Sequence, residues 1–241
     1  MTEEVAKRKE RLDRGIKVRA DTIYAVSSVK EALFLVAPRA ILIIGLLAAP
    51  LIVPNMYWQR VVCLLGVYAL LAIGFDFLAH YVGLVCLGGA MFIGVGAYVA
   101  GISNVYLGLP PALTIPIATV LGALICTLLL LPCLPLRGVY FAIITFVYPL
   151  ILDRIVCATG ILGGTDGLYD VDILPNIWVN QYLVLIVVIL CCFGLRKLVN
   201  EDIGLVLRGV KDNDQAIRAS GMSITYYKTM AVFIAAMLGC F

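Results

Sequence analysis

Side chains able to do acid–base or nucleophilic chemistry are scarce in this chain, and their spacing restricts what they can do. Asp76 stands inside an apolar run, with the single histidine, His80, four residues further on. A charge at mid-membrane costs about 2.5–3.5 kcal/mol on insertion scales. Such a carboxyl either serves a solute path or its gate, or makes a structural hydrogen bond. His80, at the end of that run, suits an interfacial position. The eight cysteines include no C-x-x-C pair and sit in or at the ends of apolar runs, as small buried packing residues do. No Gly-Lys pair occurs, so the chain has no Walker-type loop for nucleotide phosphates. H-E-x-x-H and G-x-S-x-G are absent, and one histidine is too few for a His-based metal site. The basic residues are interleaved with acidic ones, which leaves no stripe for nucleic acid. These residues describe neither an enzyme nor a nucleic-acid binder.

The elements that must position them are apolar. The chain is 63% hydrophobic and 14% charged, with a mean hydropathy of +1.05. Soluble domains run nearer half apolar and a quarter charged. Residues 40–195 hold eight charges: Arg60, Asp76, Arg137, Asp153, Arg154, Asp166, Asp170 and Asp172. The pattern predicts an all-α, polytopic transmembrane protein. Apolar runs fall at 39–55, 60–80, 84–106, 111–131, 138–158 and 181–199, against the roughly 20 residues that a spanning helix needs. A seventh begins at Thr229 and reaches Phe241 after thirteen residues, which reads as a span cut from a longer protein. Residues 1–38 form a charged leader, either an interfacial amphipathic helix with Val5, Leu12, Ile16, Ile23, Val26 and Leu33 on one face or a solvated segment. Residues 39–241 are the transmembrane domain.

Positive charge orients the spans. Residues 1–39 carry nine Lys/Arg and residues 196–228 carry six, which leaves Arg60, Arg137 and Arg154. Both rich segments are expected in the cytoplasm, so an even number of spans separates them; six are counted. The expectation is thus six full spans, an incomplete seventh and a cytoplasmic N-terminus. Glycines crowd the third run, with Gly96/Ala100 and Ala97/Gly101 at small-xxx-small spacing. They predict either tight helix packing or a broken, re-entrant stretch beside a cavity. Pro116 and Pro149 predict kinks. Gly160-Ile-Leu-Gly-Gly-Thr-Asp-Gly167 reads as an external turn-rich loop, with Gly163, Gly164, Thr165 and Asp166 as candidates for docking a partner.

One substantial polar surface remains late in the chain, a cytoplasmic loop over 200–228. Within it, Asp212 and Asp214 precede a short helical turn, where acidic groups suit the N-terminus. Ala216 and Ala219 make a slim face, and Gly221 ends the turn. Having no motor of its own, the chain is driven either by an ion gradient or by a partner that grips this segment.

Four blocks in order resemble the M-type permease subunit of bacterial branched-chain amino acid ABC transporters, over residues 66–241. They are Ala72–Gly83 with Leu87–Tyr98, rich in glycine; Leu136-Arg-Gly-Val-Tyr-Phe-Ala-Ile-Ile-Thr145, similar to the family's L-R-G-x-Y-F-A block; Gly163-Gly-Thr-Asp-Gly-Leu168; and Gly204–Gly221, which contains Gln215-Ala-Ile-x-x-x-Gly221. The last is similar to the E-A-A-x-x-x-G coupling motif of importer permeases, with Gln215 in place of Glu. Where the family reads G-Q-x-S-x-G-H-A, this chain has Leu84, Cys86 and Gly89 at the polar positions, and Asp76 stands for a common Asn. The resemblance implies an importer subunit in the bacterial inner membrane for branched-chain amino acids or related solutes such as urea and amides. It implies a homologous H-type permease, two cytoplasmic ATPases that bind ATP and Mg, and a periplasmic solute-binding protein as partners. No cofactor is expected in the chain itself. Asp76, Gly83, Cys86, Gly88 and Gly89 become candidates for the solute path and gate. Asp212, Asp214, Gln215, Ala216, Arg218, Ala219 and Gly221 become the coupling helix. The rival reading is a gradient-driven secondary transporter or channel that uses Asp76.

Overall fold

Long runs of Leu, Ile, Val and Ala leave the backbone one economical way to satisfy its N–H and C=O groups in hydrocarbon, the helix. The computed structural model describes residues 45, 47, 55–136, 138–160, 163, 164, 166–168 and 176–241. The helices from Met56 onward all belong to the unit Leu46–Phe241. The leader and most of the first apolar run, 39–55, lie outside the described residues. Helix α1 (Met56–Asp76) continues directly into a π-helical turn, Phe77–Val82. Then come α2 (Gly89–Val105), α3 (Pro111–Leu130) with a 3-10 turn at Leu131–Cys133, and α4 (Val139–Thr159). They are followed by α5 (Ile177–Asn200), α6 (Asp202–Asp212), α7 (Asp214–Ala219) and α8 (Ile224–Cys240). No strand occurs among the described residues.

Local signals set the ends. Pro111 occupies the first turn of α3, where a missing N–H costs nothing. Asn176 caps α5 by accepting a hydrogen bond from the Trp178 N–H at 3.2 Å. Gly160, at φ +64°, closes α4 in the left-handed conformation. Pro116 and Pro149 are carried inside helices that run on as single elements.

Four helical stretches among the described residues are long and apolar enough to cross a membrane: Met56–Val82, Pro111–Cys133, Val139–Thr159 and Ile177–Asn200. α2 and α8 are apolar but shorter, at 17 residues each. The third apolar run is therefore not one span-length helix. Its first part, Leu84–Gly88, is non-helical, and only then does α2 begin.

α8 is the hub. Ala231, Val232, Ala235, Ala236, Gly239 and Cys240 are buried, facing α1, α2 and α3. A Cβ added at Gly96 would lie 2.5 Å from the Cys240 carbonyl oxygen, and one at Gly239 would lie 2.6 Å from Phe92 Cβ. A Cβ at Gly122 would lie 3.4 Å from the Gly96 Cα. Three helices thus approach through glycine, as small-residue packing allows. α1 and α5 form a flank joined by Leu70, Val184 and Val188. α4 buries Phe141, Ala142 and Thr145 and leaves Tyr140, Ile143, Phe146 and Leu150 exposed, as a lipid-facing helix does. Cys86, Cys126, Cys133 and Cys240 are buried, but Cys63, Cys157 and Cys191 are half-buried and Cys192 is exposed. The expectation of uniformly buried cysteines is corrected there: position along an apolar run does not say which side faces the bundle.

Candidate functional site

The break between α1 and α2 begins where the helix widens into its π-helical turn at Phe77–Val82 and stops at Gly83. Gly83 takes φ +75°, a conformation that favours glycine. The chain then runs through Leu84–Gly88 without helical hydrogen bonding, yet Leu84, Cys86 and Gly88 are buried. Irregular backbone at such depth must find partners inside the protein. The Leu84 N–H donates to the Leu78 carbonyl at 3.1 Å. The Leu87 N–H donates to Thr145 Oγ1 at 3.0 Å, and that hydroxyl in turn donates to the Ala142 carbonyl at 2.9 Å. Pro149 has no N–H to offer the Thr145 carbonyl four residues back. That same carbonyl lies 3.2 Å from where a Gly88 Cβ would sit. The broken stretch is therefore docked on a gap in the α4 hydrogen-bond ladder. Thr145, completely buried, closes the Leu136–Thr145 block of the sequence, where it stands as one hydroxyl after apolar residues and nothing marks its partner.

The polar segment sits against this break. Lys211 Nζ donates to the His80 carbonyl at 2.9 Å. The Arg208 guanidinium lies 5.3 Å from the centre of the Tyr81 ring, within cation–π range. Asp214 and Lys228 form an ion pair at 3.5 Å with both side chains buried. α6 and α7 close together at Gly209, where a Cβ would meet Ile217 Cδ1 at 2.8 Å. The Gln215 N–H donates to Asn213 Oδ1 at 3.0 Å, which starts α7. Gly221, at φ +82°, ends the turn with its N–H on the Arg218 carbonyl at 3.0 Å. Asp212, Gln215, Arg218, Ala219 and Gly221 are exposed, and Ala216 lies within α7. Asp214 departs from the sequence reading of the segment: its side chain faces Lys228 at the foot of α8 and is not presented outward. Gly83, Leu84, Lys211, Gln215 and Lys228 line a cavity of about 290 Å³.

The candidates for a solute path do not form one cluster. Asp76, the last residue of α1, is exposed and lines a cleft of about 400 Å³ between α1 and α5. Cys86 and Gly88 face Thr145 of α4 instead, and the nearest atom to a Cβ on Gly89 would be Leu71 Cδ2. The glycine-rich loop belongs to a third place. Gly163, Gly164 and Gly167 all have positive φ, and the Asp166 N–H donates to the Gly163 carbonyl at 3.1 Å. Gly164, Asp166 and Gly167 help line a cavity of about 600 Å³ between α2 and α4, walled by Met91, Val95 and Leu152. Thr165 lies outside the described residues.

Comparison with known proteins narrows the reading. The chain is 27% identical to the high-affinity branched-chain amino acid transport system permease protein LivM of Escherichia coli K12, over 89% of this chain and 57% of that protein. It is 26% identical, with the same coverage, to the protein of that name in Salmonella typhimurium. A probable branched-chain amino acid transport permease protein LivM of Methanocaldococcus jannaschii is 29% identical over 50% of this chain and 37% of its own length. The chain spans little more than half the length of the bacterial relatives it matches. No solved structure matches it. The family model described as branched-chain amino acid transport system / permease component matches residues 57–241. With its apolar helices and the polar segment locked against the break, the chain belongs to that permease family and is a multi-pass membrane protein.

Proposed function

We propose that this chain is the transmembrane permease subunit of an ATP-driven importer for branched-chain amino acids or related small amphipathic solutes, urea and amides included, in the bacterial inner membrane. Its partners are a homologous H-type permease, two cytoplasmic ATPases that hold ATP and Mg, and a periplasmic solute-binding protein. The charge distribution supports an N-terminus and a 200–228 loop that are both cytoplasmic, with an even number of spans between them, and the apolar runs supply six.

The observation that carries this reading is the way the polar segment is tied to the break. Lys211 and Arg208 hold the π-helical turn, and Asp214 holds the foot of the central helix α8 through Lys228. A displacement of α6–α7 therefore moves both the irregular backbone at 77–88 and the helix on which three others pack. Alternating access needs a coupled movement of this kind, biased by a partner with different affinities for two conformations. The exposed Gln215, Arg218, Ala219 and Gly221 are the surface an ATPase would grip.

The test uses the full-length protein assembled with its partners in proteoliposomes. Arg218→Glu, or a bulky residue at Gly221, is expected to leave ATP hydrolysis running while leucine uptake per ATP falls about tenfold or more. Unchanged coupling in both variants rules the assignment out. A gradient-driven carrier is the second reading, favoured by the exposure of Asp76 in its cleft; uptake by the full-length protein alone under an ion gradient would establish it.

A further inference from the structure

Asp76 shares its cleft with a charge of the opposite sign. Arg196 of α5 lines the same space of about 400 Å³, together with Ile73, Phe77, Leu195 and Val199. That volume falls in the range of small-molecule sites, roughly 300–1,000 Å³. Asp76 and Arg196 are both exposed, and they do not neutralise one another: among the described residues the ion pair formed is Lys228–Asp214. A carboxylate on one helix and a guanidinium on its neighbour, with four apolar side chains around the same cleft, match the three parts of an aliphatic α-amino acid. We propose that this cleft binds such an amino acid as the zwitterion, with Asp76 taking the ammonium, Arg196 the carboxylate, and the apolar wall the side chain. The inference rests on the importer reading above and gives that reading a location for its solute.

Physical chemistry favours the division of labour. A guanidinium presents a planar fork that fits a carboxylate through two parallel hydrogen bonds. An ammonium is matched by a carboxylate, which only accepts. Both contacts are made on apolar ground, where an aliphatic side chain gains by leaving water. The cleft also touches the coupling segment, because Tyr81 lines it and carries Arg208 on its ring. Occupancy of the cleft and position of α6 thus share one side chain.

The test is a binding matrix on the full-length protein, assembled with the H-type permease and ATPases in nanodiscs and without the solute-binding protein. The probes are L-leucine, L-leucinamide, which lacks the carboxylate, and 4-methylpentanoate, which lacks the ammonium. The unsubstituted complex is expected to bind leucine about tenfold or more tighter than either analogue, the size of one lost charge-assisted hydrogen bond. In Asp76→Asn leucine should bind no better than 4-methylpentanoate, and in Arg196→Gln no better than leucinamide. The exchanged pair D76R/R196D should recover part of the loss, which a merely misfolded single variant would not allow. Leucine affinity unchanged in both single variants, or all three compounds lost alike, overturns the assignment. So does phosphatidylethanolamine retained through Asp76 and Arg196 with leucine affinity unaffected, which would give the cleft to a lipid headgroup. ATP-driven leucine uptake with no role for these two residues defeats the cleft alone, whereas no leucine uptake or binding by the unsubstituted complex defeats the importer reading itself.

Discussion

Asp214 and Lys228 are charged groups buried together at the junction of α7 and α8. Lys228 is tolerable there because Asp214 faces it, and removing one partner of a buried pair costs about 3–5 kcal/mol. Asp214→Ala is therefore expected to lower the thermal unfolding midpoint of the assembled protein sharply, while D214L/K228M, which removes both charges, should retain most of the stability. A smaller loss from the single variant than from the double would contradict the pairing. Thr145 plays a comparable part in neutral form. Thr145→Val strips the acceptor from the part-buried Leu87 N–H, at a cost of about 0.5–1.5 kcal/mol, and Thr145→Ser should be close to neutral in the same unfolding assay. Neither partnership is legible along the chain. Lys228 counts there only as one of the positive charges near a span, and Thr145 as one hydroxyl among apolar neighbours, because the groups they meet lie 14 and 58 residues away.

Among the helices, the broken third run departs most from uniform spans. Glycine spacing suggests either close packing or a break, and the structure contains both, in different places. Gly83–Gly88 form the break, and Gly96 makes the close approach, to α8 as well as α3. The partner glycines, Gly122 and Gly239, have no special standing in the sequence, since a small residue in an apolar run shows its purpose only when the opposing backbone is known. Gly96→Ala places a methyl against the Cys240 backbone, which has no flexible end to swing aside. Overpacking of this kind costs about 1–3 kcal/mol. Separation of α2 from α8 should follow, read as faster proteolysis at the α8 foot and a lower unfolding midpoint; an unaffected midpoint would mean that α8 does not pack against Gly96.

For the molecule as a whole, the positive-inside pattern and the mechanical reading make one demand together: the leader and the segment at 212–221 share the cytoplasmic side. Single-cysteine variants of the full-length protein, made on a background lacking the eight native cysteines, should label at Arg218 from the cytoplasmic face and at Asp166 from the opposite face. Labelling of position 218 from outside would remove the basis for a partner-driven machine. Of these features, helical class, membrane residence, the absence of catalytic motifs and the place of the polar segment are all readable along the chain, because each depends on composition or on spacing within a few turns. The separation of Asp76 from Cys86 and Gly88, the inward turn of Asp214, and the joining of Asp76 with Arg196 in one cleft required the folded molecule. Residues 76 and 196 belong to different helices, and which faces of two apolar helices meet is settled by side-chain packing that no local periodicity records.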